Sequence, residues 1–349
     1  MQQEIAQVIS ARLRPKLSGE EQRQVAKRET TNPEAYQLYL KGRYYLEKRT
    51  KEGTNKAIEY FQQAIDRDPN YARAFAGLAD SYMLFVVAIP RSSFPPKETF
   101  PKAKAAAMRA LQIDDQLAEA HTSLAQIKVL YEWDWAGAER EFKRAIELNP
   151  NYATAHHWYG LYLAARGRFD EAIFEIKKAQ EIDPLSPIIN ANAGWIFYYA
   201  RQYDQAIEQE RKALEIDPNF AIAHGRLAQT YEQKGMHKEA VEEYLKAETL
   251  LGGNQEEIAA LRQAFAVSGM RGFRQKQLDL GLERSKRQHV LSSLIAGYYA
   301  RLGEREQAIQ WLEKAYEERD PMFLLKVDPR WDGLRSDPRF ADLIRRVGL

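Results

Sequence analysis

Small residues recur at two fixed positions, 34 residues apart, through the middle of the chain. The first series is Ala138, Ala172, Ala206 and Ala240, and the second is Ala145, Ala179, Ala213 and Ala247. A third series ends each unit with Pro150, Pro184 and Pro218, and Gly252 stands where a fourth proline would fall. This pattern is typical of a pair of helices and a turn copied several times. It predicts an all-α solenoid, in which each unit needs only its neighbours for a core.

The small residues have a physical reason. Alanine at the crossing of two antiparallel helices lets their backbones approach closely and loses no rotamer freedom. Glycine is expected at the tight turn inside a unit, where a positive φ is cheap only for that residue. The turn glycines are Gly167, Gly235 and Gly303.

We expect the 349-residue chain to have three parts. Residues 1–31 are predicted to be an N-terminal helical segment or linker. The array of about seven to eight repeats occupies 32–322 and is irregular near 85–102 and 251–290. Residues 323–349 are predicted to form a cap with a final helix, because the exposed end of a solenoid needs a polar outer face.

Composition limits the classes of partner. The chain has 51 Lys and Arg against 49 Asp and Glu, a net charge of +2. Binding of nucleic acid through counterion release requires a surplus of basic residues, so no nucleic acid is expected, although a local basic patch stays open. The chain has no cysteine, which excludes disulfides and thiolate metal sites. No apolar run approaches the ~20 residues that span a bilayer, so we expect a cytoplasmic protein without membrane contact.

Motifs that carry chemistry are missing from the sequence. It contains no glycine-rich phosphate loop, no His-Glu-x-x-His and no Gly-x-Ser-x-Gly. His156 and His157 are adjacent, so on a helix they face different directions and cannot easily share a metal. His121, His156 and His224 fall at a large-residue position of their units and are interpreted as packing residues. We therefore expect no enzyme, no cofactor and no metal.

One residue breaks the repeat pattern. Glu210 occupies the position that Phe142 and Tyr244 hold in other units. A carboxylate there is either exposed where the units splay apart or paired with a neighbour. His224, on the first helix of the next unit, is the predicted partner.

The repeat resembles the tetratricopeptide repeat. The unit at 153–184 carries the pattern of that family as Tyr159-Gly160, Leu163, Ala172, Ile176, Ala179 and Pro184. The resemblance implies a right-handed superhelix whose first helices line a concave groove, and a scaffold that binds protein or peptide there. The groove positions that it implies are Thr122, Gln126, His157, Leu161, Asn192, Trp195, Tyr198, Tyr199, Arg226 and Gln229.

Trp195, Tyr198 and Tyr199 are the most suggestive cluster among these positions, since binding surfaces are enriched in aromatic residues that keep a polar tip. The alternative is that they pack against neighbouring first helices. Members of the family that clamp a C-terminal carboxylate use Lys, Asn, Asn, Lys and Arg at five positions. Here the five positions hold His157, Leu161, Asn192, Ile222 and Arg226. Two of the five match and both lysines are missing, so we expect no such clamp.

Three runs resemble a narrower bacterial group. They are residues 32–43 (NPEAYQLYLKGR), 133–139 (WDWAGAE) and 334–340 (LRSDPRF). In that group the repeats form the C-terminal part of larger signalling proteins that carry a winged-helix DNA-binding domain, a kinase or an adenylate cyclase, often with a TolB-like segment. The resemblance implies a regulatory module that binds other domains. An RNA-binding helical repeat, and an enzyme hidden in 251–290, stay open as alternatives.

Overall fold

Helix pairs follow one another along the described part of the chain. The structure, a computed structural model, describes residues 30–87 and 94–349, and these are helical throughout, without a strand. The predicted helix within residues 1–31 lies outside the described residues, apart from its last two positions. The first three units are α1 (Pro33–Glu47) with α2 (Lys51–Arg67), α3 (Ala72–Val87) with α4 (Pro96–Ile113), and α5 (Ala118–Ile127) with α6 (Trp135–Leu148). A π-helical turn, Lys128–Glu132, extends α5.

The three full-length units follow without insertion. They are α7 (Ala153–Ala165) with α8 (Phe169–Ile182), α9 (Pro187–Tyr199) with α10 (Tyr203–Ile216), and α11 (Ala221–Gln233) with α12 (His237–Leu250). The seventh unit is one element, α13 (Gln255–Ser285), which bends where Gly269 adopts a φ of +58°. The eighth unit is α14 (Ser292–Leu302) with α15 (Arg305–Glu318), followed by a 3₁₀ turn (Pro329–Leu334) and α16 (Pro338–Val347). The predicted all-α solenoid of seven to eight helix pairs is confirmed.

The repeated alanines lie where the pattern predicts. Ala172, Ala179, Ala206 and Ala213 have no exposed surface, and Ile176 fills the space between two of these crossings without exposure. Close packing continues at Gly194, where an added Cβ would lie 2.6 Å from Cγ of the buried Glu210. The core is therefore a continuous seam of small and large residues shared by successive units.

Glu210 corrects one prediction. Thr230 Oγ1 donates to its Oε1 at 3.1 Å, while His224 pairs with Glu243, so the predicted Glu210–His224 pair does not form. The side chain has no exposed surface, and burial raises the pKa of Glu210 to about 8. Because a buried neutral acid costs far less than a buried carboxylate, Glu210 occupies an apolar core position as a protonated side chain at neutral pH.

A histidine–carboxylate pair recurs between the two helices of a unit. His121 Nδ1 lies 2.6 Å from Glu141 Oε2, and His156 Nδ1 lies 2.6 Å from Glu175 Oε2. His224 and Glu243 form the same pair in unit 6. In each case the other ring nitrogen contacts a main-chain oxygen at the start of the unit, such as Pro150 O at 2.9 Å from His156. The histidines predicted to pack are thus hydrogen-bonded helix connectors.

Each unit needs one residue in the left-handed region between its helices. Gly167 and Gly235 supply it, with φ of +80° and +74°. Other residues stand there in three units: Arg49 (φ +53°), Trp133 (φ +57°) and Arg201 (φ +63°). A side chain in this region is strained and persists where its contacts compensate. All three side chains make contacts far along the chain.

The C-terminal part of the chain returns to the middle of the array. Arg201 Nη2 lies 2.9 Å from Asp332 Oδ1, which joins the turn of unit 5 to the 3₁₀ turn. Trp133 stacks on Tyr316 with ring centroids 5.0 Å apart, and the guanidinium of Arg319 lies 4.3 Å above the Trp133 ring. Units 3 to 5 therefore contact the last unit and the segment after it, and the superhelix closes on itself.

Candidate protein-binding wall inside the superhelix

Three successive first helices, α7, α9 and α11, bring the central predicted residues together. Asn192 Nδ2 contacts Nε2 of His157 across the gap between α7 and α9. The guanidinium of Arg226, on α11, lies 4.2 Å above the ring of Trp195 on α9. A cation held over an indole is stabilised by the ring quadrupole. We call the surface formed by His157, Asn192, Trp195 and Arg226 the inner wall.

Arg49, from the turn of unit 1, joins the inner wall. Burial lowers the pKa of His157 well below its usual value, and Arg49 and Arg226 lower it further. Burial also lowers the pKa of Arg226 to about 10, and Arg49 contributes through like-charge repulsion. The two arginines and the histidine therefore lie within electrostatic reach of one another. The result is a neutral His157 between two cations.

Several polar atoms at this wall find no hydrogen-bond partner among the described residues. They combine donors and acceptors: Arg49 Nε, Arg226 Nη1, Trp195 Nε1, Asn192 Oδ1 and Gln126 Oε1. Asn192 and Gln126 are almost fully buried, with 4% and 6% exposure. An unsatisfied buried polar group costs about 1–3 kcal/mol. Such a concentration in one place is a feature of binding surfaces, where the missing partner belongs to a ligand.

Acidic side chains lie at one end of the wall. Asp80 is buried and accepts from Ser123 Oγ at 2.6 Å, and burial raises its pKa to about 6. Arg43 Nη1 lies 3.8 Å from Asp80 Oδ2. Arg49 Nη2 lies 4.0 Å from Glu47 Oε2, whose side chain is half exposed. Arg43 is thus compensated by a buried carboxyl group, whereas Arg49 has only a distant, solvated one.

Other predicted groove residues are covered in this structure. Thr122 donates to Ala118 O at 2.8 Å and has no exposed surface. Leu161, Tyr198 and Tyr199 are buried too, and the two tyrosines lie in the field of Asp328 and Arg330 of the C-terminal segment. Gln229 is half-buried and donates to Gly225 O at 3.3 Å. Packing therefore accounts for these tyrosines in this structure.

Arg49 is the inner-wall residue that sequence reasoning missed. Its turn is longer than the standard one, so the 34-residue spacing gives no register for it. Arg201 had a signal: it stands 34 residues after Gly167 and 34 before Gly235, at a position that favours glycine. An arginine in a left-handed turn indicates that its side chain has work elsewhere in the fold.

A separate cavity of about 610 Å³ lies between units 3 and 4, away from the inner wall. Its lining joins buried Tyr159 and Leu163 to exposed Phe174 and to the carboxylates of Glu147 and Asp170. Within residues 30–87 and 94–349, no group of three His, Asp or Glu could hold a metal ion. The same described ranges contain no helix long and apolar enough to cross a membrane.

Comparison with known families assigns the repeats. Tetratricopeptide-repeat models match residues 130–187 and, in a second version, residues 38–71, 221–250 and 293–320. A third model, described as TPR repeat, matches 194–235. The chain belongs to the tetratricopeptide-repeat proteins, and these repeats make it a protein-interaction scaffold.

Individual relatives cover parts of the chain. The transcriptional regulator HilA of Salmonella typhimurium is 25% identical over 162 residues, which are 46% of this chain and 29% of HilA. The human IFIT1 dimer with m7Gppp-AAAA is 19% identical, covers 83% of this chain and 68% of its own, and superposes with a TM-score of 0.56. YrrB, a TPR protein with an unusual peptide-binding site, is 25% identical over 49% of this chain and 82% of its own, with a TM-score of 0.32. The likeness to IFIT1 shows the fold alone.

Proposed function

We propose that this protein is a non-enzymatic scaffold that holds an extended segment of a partner protein along the inner wall. The observation that carries the proposal is the Trp195–Arg226 stack beside the His157–Asn192 pair, on three consecutive first helices. Aromatic and arginine side chains dominate the energetics of protein recognition because each combines a large contact surface with a polar tip.

The polar atoms of the wall suit a main chain. A segment that lies across α7, α9 and α11 offers N–H donors and carbonyl acceptors at regular spacing. Asn192 Oδ1 and Gln126 Oε1 accept, and Trp195 Nε1 donates, and each is without a partner among the described residues. Satisfying these groups is worth more than forming new bonds at an exposed surface, since their desolvation has already occurred.

The test is site-specific photo-crosslinking in the full chain. A photoreactive residue replaces Gln229, at the half-buried edge of the wall, or Phe174 on the separate cavity, whose exposure is 59%. The proposal expects a partner segment that crosslinks from position 229 and not from 174. That segment, made as a synthetic peptide, should bind wild type and lose most of its affinity for Trp195→Ala. Binding that Trp195→Ala leaves unchanged would reject the inner wall.

A bacterial regulatory context is the finer proposal. It rests on HilA, a transcriptional regulator that shares 25% identity over 162 residues with this chain. In this proposal the repeats serve as the protein-binding part of a regulatory assembly in the cytoplasm. An RNA ligand is the alternative: IFIT1 carries m7Gppp-AAAA in a related solenoid, and two inner arginines lack close carboxylate partners within the described chain. RNA retention that falls steeply with salt would favour it.

A further inference from the structure

We propose that the inner wall recognises a carboxylate of the partner segment, held between the guanidinium groups of Arg49 and Arg226. The carboxylate is that of an Asp or Glu side chain or of the chain end. This inference rests on the proposed function and adds the chemistry of the ligand to it.

The charges at the wall are the first argument. Arg226 has Glu210 as the nearest acid that acts on it, and Glu210 is protonated at neutral pH because burial raises its pKa to about 8. Arg49 has a carboxylate only at 4.0 Å, on the half-exposed Glu47. Buried cations in proteins are normally paired. Two that repel each other across a wall, without a close counter-charge among the described residues, define a place for an added anion.

The geometry of the unsatisfied atoms is the second argument. Arg49 Nε and Arg226 Nη1 find no acceptor in the described ranges, and the guanidinium group is a planar fork that binds a carboxylate through two parallel N–H donors. Beside them, Asn192 Oδ1 and Gln126 Oε1 require donors. A peptide supplies both, a carboxylate for the arginines and main-chain N–H groups for the amides. A nucleic-acid backbone supplies phosphates but no such row of donors, so a protein segment fits the set better.

The position of Arg49 explains how such a ligand enters. The unsatisfied atoms of Arg49 and Arg226 have no exposed surface in this structure. Arg49 lies in a turn with a φ of +53°, and it comes from unit 1, whereas Trp195 and Arg226 come from units 5 and 6. The ligand therefore reaches the site when this turn moves away from the inner wall. Removing mutual repulsion between the arginines favours the same movement back onto the bound carboxylate.

The test uses random short peptides displayed on phage and selected on the full-length chain. Each selected peptide is then synthesised in its original form, with its acidic side chains replaced by the corresponding amides, and with an amidated C-terminus. We expect one of the two replacements to weaken binding to wild type about tenfold or more. Arg49→Gln and Arg226→Gln should bind the acid and amide forms equally. Arg144→Gln, at an exposed arginine, should behave as wild type.

The outcomes separate the two proposals. Equal binding of acid and amide forms to wild type, with loss on Trp195→Ala, overturns the carboxylate site and leaves the inner wall standing. Failure to select any peptide that depends on Trp195 overturns both. A 5′-phosphorylated single-stranded RNA that binds more tightly than every peptide, and is lost in Arg226→Gln, overturns the assignment to a protein segment.

Thermal unfolding gives an independent readout. Arg226→Gln removes a buried charge that lacks a close counter-charge, so its melting temperature should equal or exceed that of wild type. A strong decrease would make Arg226 a structural residue and overturn its role in ligand binding. In that case the acid preference of Arg49→Gln, a change in a surface turn, decides whether the site exists.

Discussion

Trp135 Nε1 donates a hydrogen bond to the main-chain oxygen of Val347 at 2.7 Å, across 212 positions of sequence. Next to it, Arg166 Nη1 donates to Gly348 O at 2.7 Å. A solenoid normally gains its stability from contacts between neighbouring units. Here the end of the chain also binds the turns of units 3 and 4, so the curvature of the array is fixed by a long-range contact as well as by stacking.

Removing this donor should loosen the closed superhelix. Trp135→Phe keeps a ring in place but leaves Val347 O without its partner, which should lower the free energy of unfolding by about 1–3 kcal/mol. Amide exchange should accelerate in residues 338–349. The matched control is Trp311→Phe, at a partly buried tryptophan of unit 8. Equal protection of 338–349 in the variant and wild type would contradict the role of the contact.

The alanine crossings can be tested by overpacking. Ala213 has no exposed surface, at the crossing of the two helices of unit 5. Ala213→Leu should therefore lower stability by roughly 1–3 kcal/mol, because the added atoms force the helices apart. Thermal melting measures the effect, and Ala266→Leu at an exposed position provides the control. An unchanged melting temperature for Ala213→Leu would mean that the repeat register is wrongly assigned.

Glu210 should make stability depend on pH. Its pKa is raised from 4.5 to about 8 by burial, so the folded state holds a proton that the unfolded state releases. The stability contributed by the neutral side chain is therefore complete below about pH 4.5 and is lost as the pH rises toward 8. Glu210→Gln should remove this loss. Urea unfolding at several pH values should show a slope for wild type that is steeper by up to about 1.4 kcal/mol per pH unit.

The control for that comparison is internal. Asp80 and Asp320, whose pKa values are raised to about 6 and about 7, are present in both proteins and contribute equally to each curve. Parallel curves for wild type and Glu210→Gln between pH 5 and pH 8 would show that Glu210 is charged in the folded protein.

The histidine connectors should act in the same direction. Burial alone lowers the pKa of His156, but its hydrogen bonds to Glu175 and Pro150 O outweigh this effect and raise it above 6.5. Since the folded pKa is raised, the stabilisation is complete below about pH 6.5 and is lost as the pH rises through the folded value. Unit 5 has a neutral version of the pair, in which Asn190 and Gln209 both bind Gln180.

Copying that version into unit 4 isolates the charge. His156→Asn with Glu175→Gln should be less stable than wild type at pH 5.5 and should approach it at pH 9, because only the wild-type pair gains from protonation. Unfolding in urea at both pH values measures the difference. A gap that stays constant, or widens at pH 9, would show that the pair does not titrate as described.

The sequence predicted most of the local architecture. Spacings of 34 residues located the helices of units 4 to 6, their turns and the buried alanines, because these depend on contacts within one unit or between neighbours. The same spacings placed His157, Asn192, Trp195 and Arg226 on successive first helices. They could not place the partner of Glu210, because Thr230 and His224 lie on the same helix within two turns of each other and either side chain could reach it.

The amino-acid sequence by itself determined that this protein is a stack of helix pairs, since periodic alanines, glycines and prolines act through short-range sterics. Only the tertiary structure decided that Arg49 meets Arg226 and that Val347 meets Trp135. Those meetings depend on the small rotation between each unit and the next, summed over several units. A residue pattern that specifies one interface at a time does not record that sum.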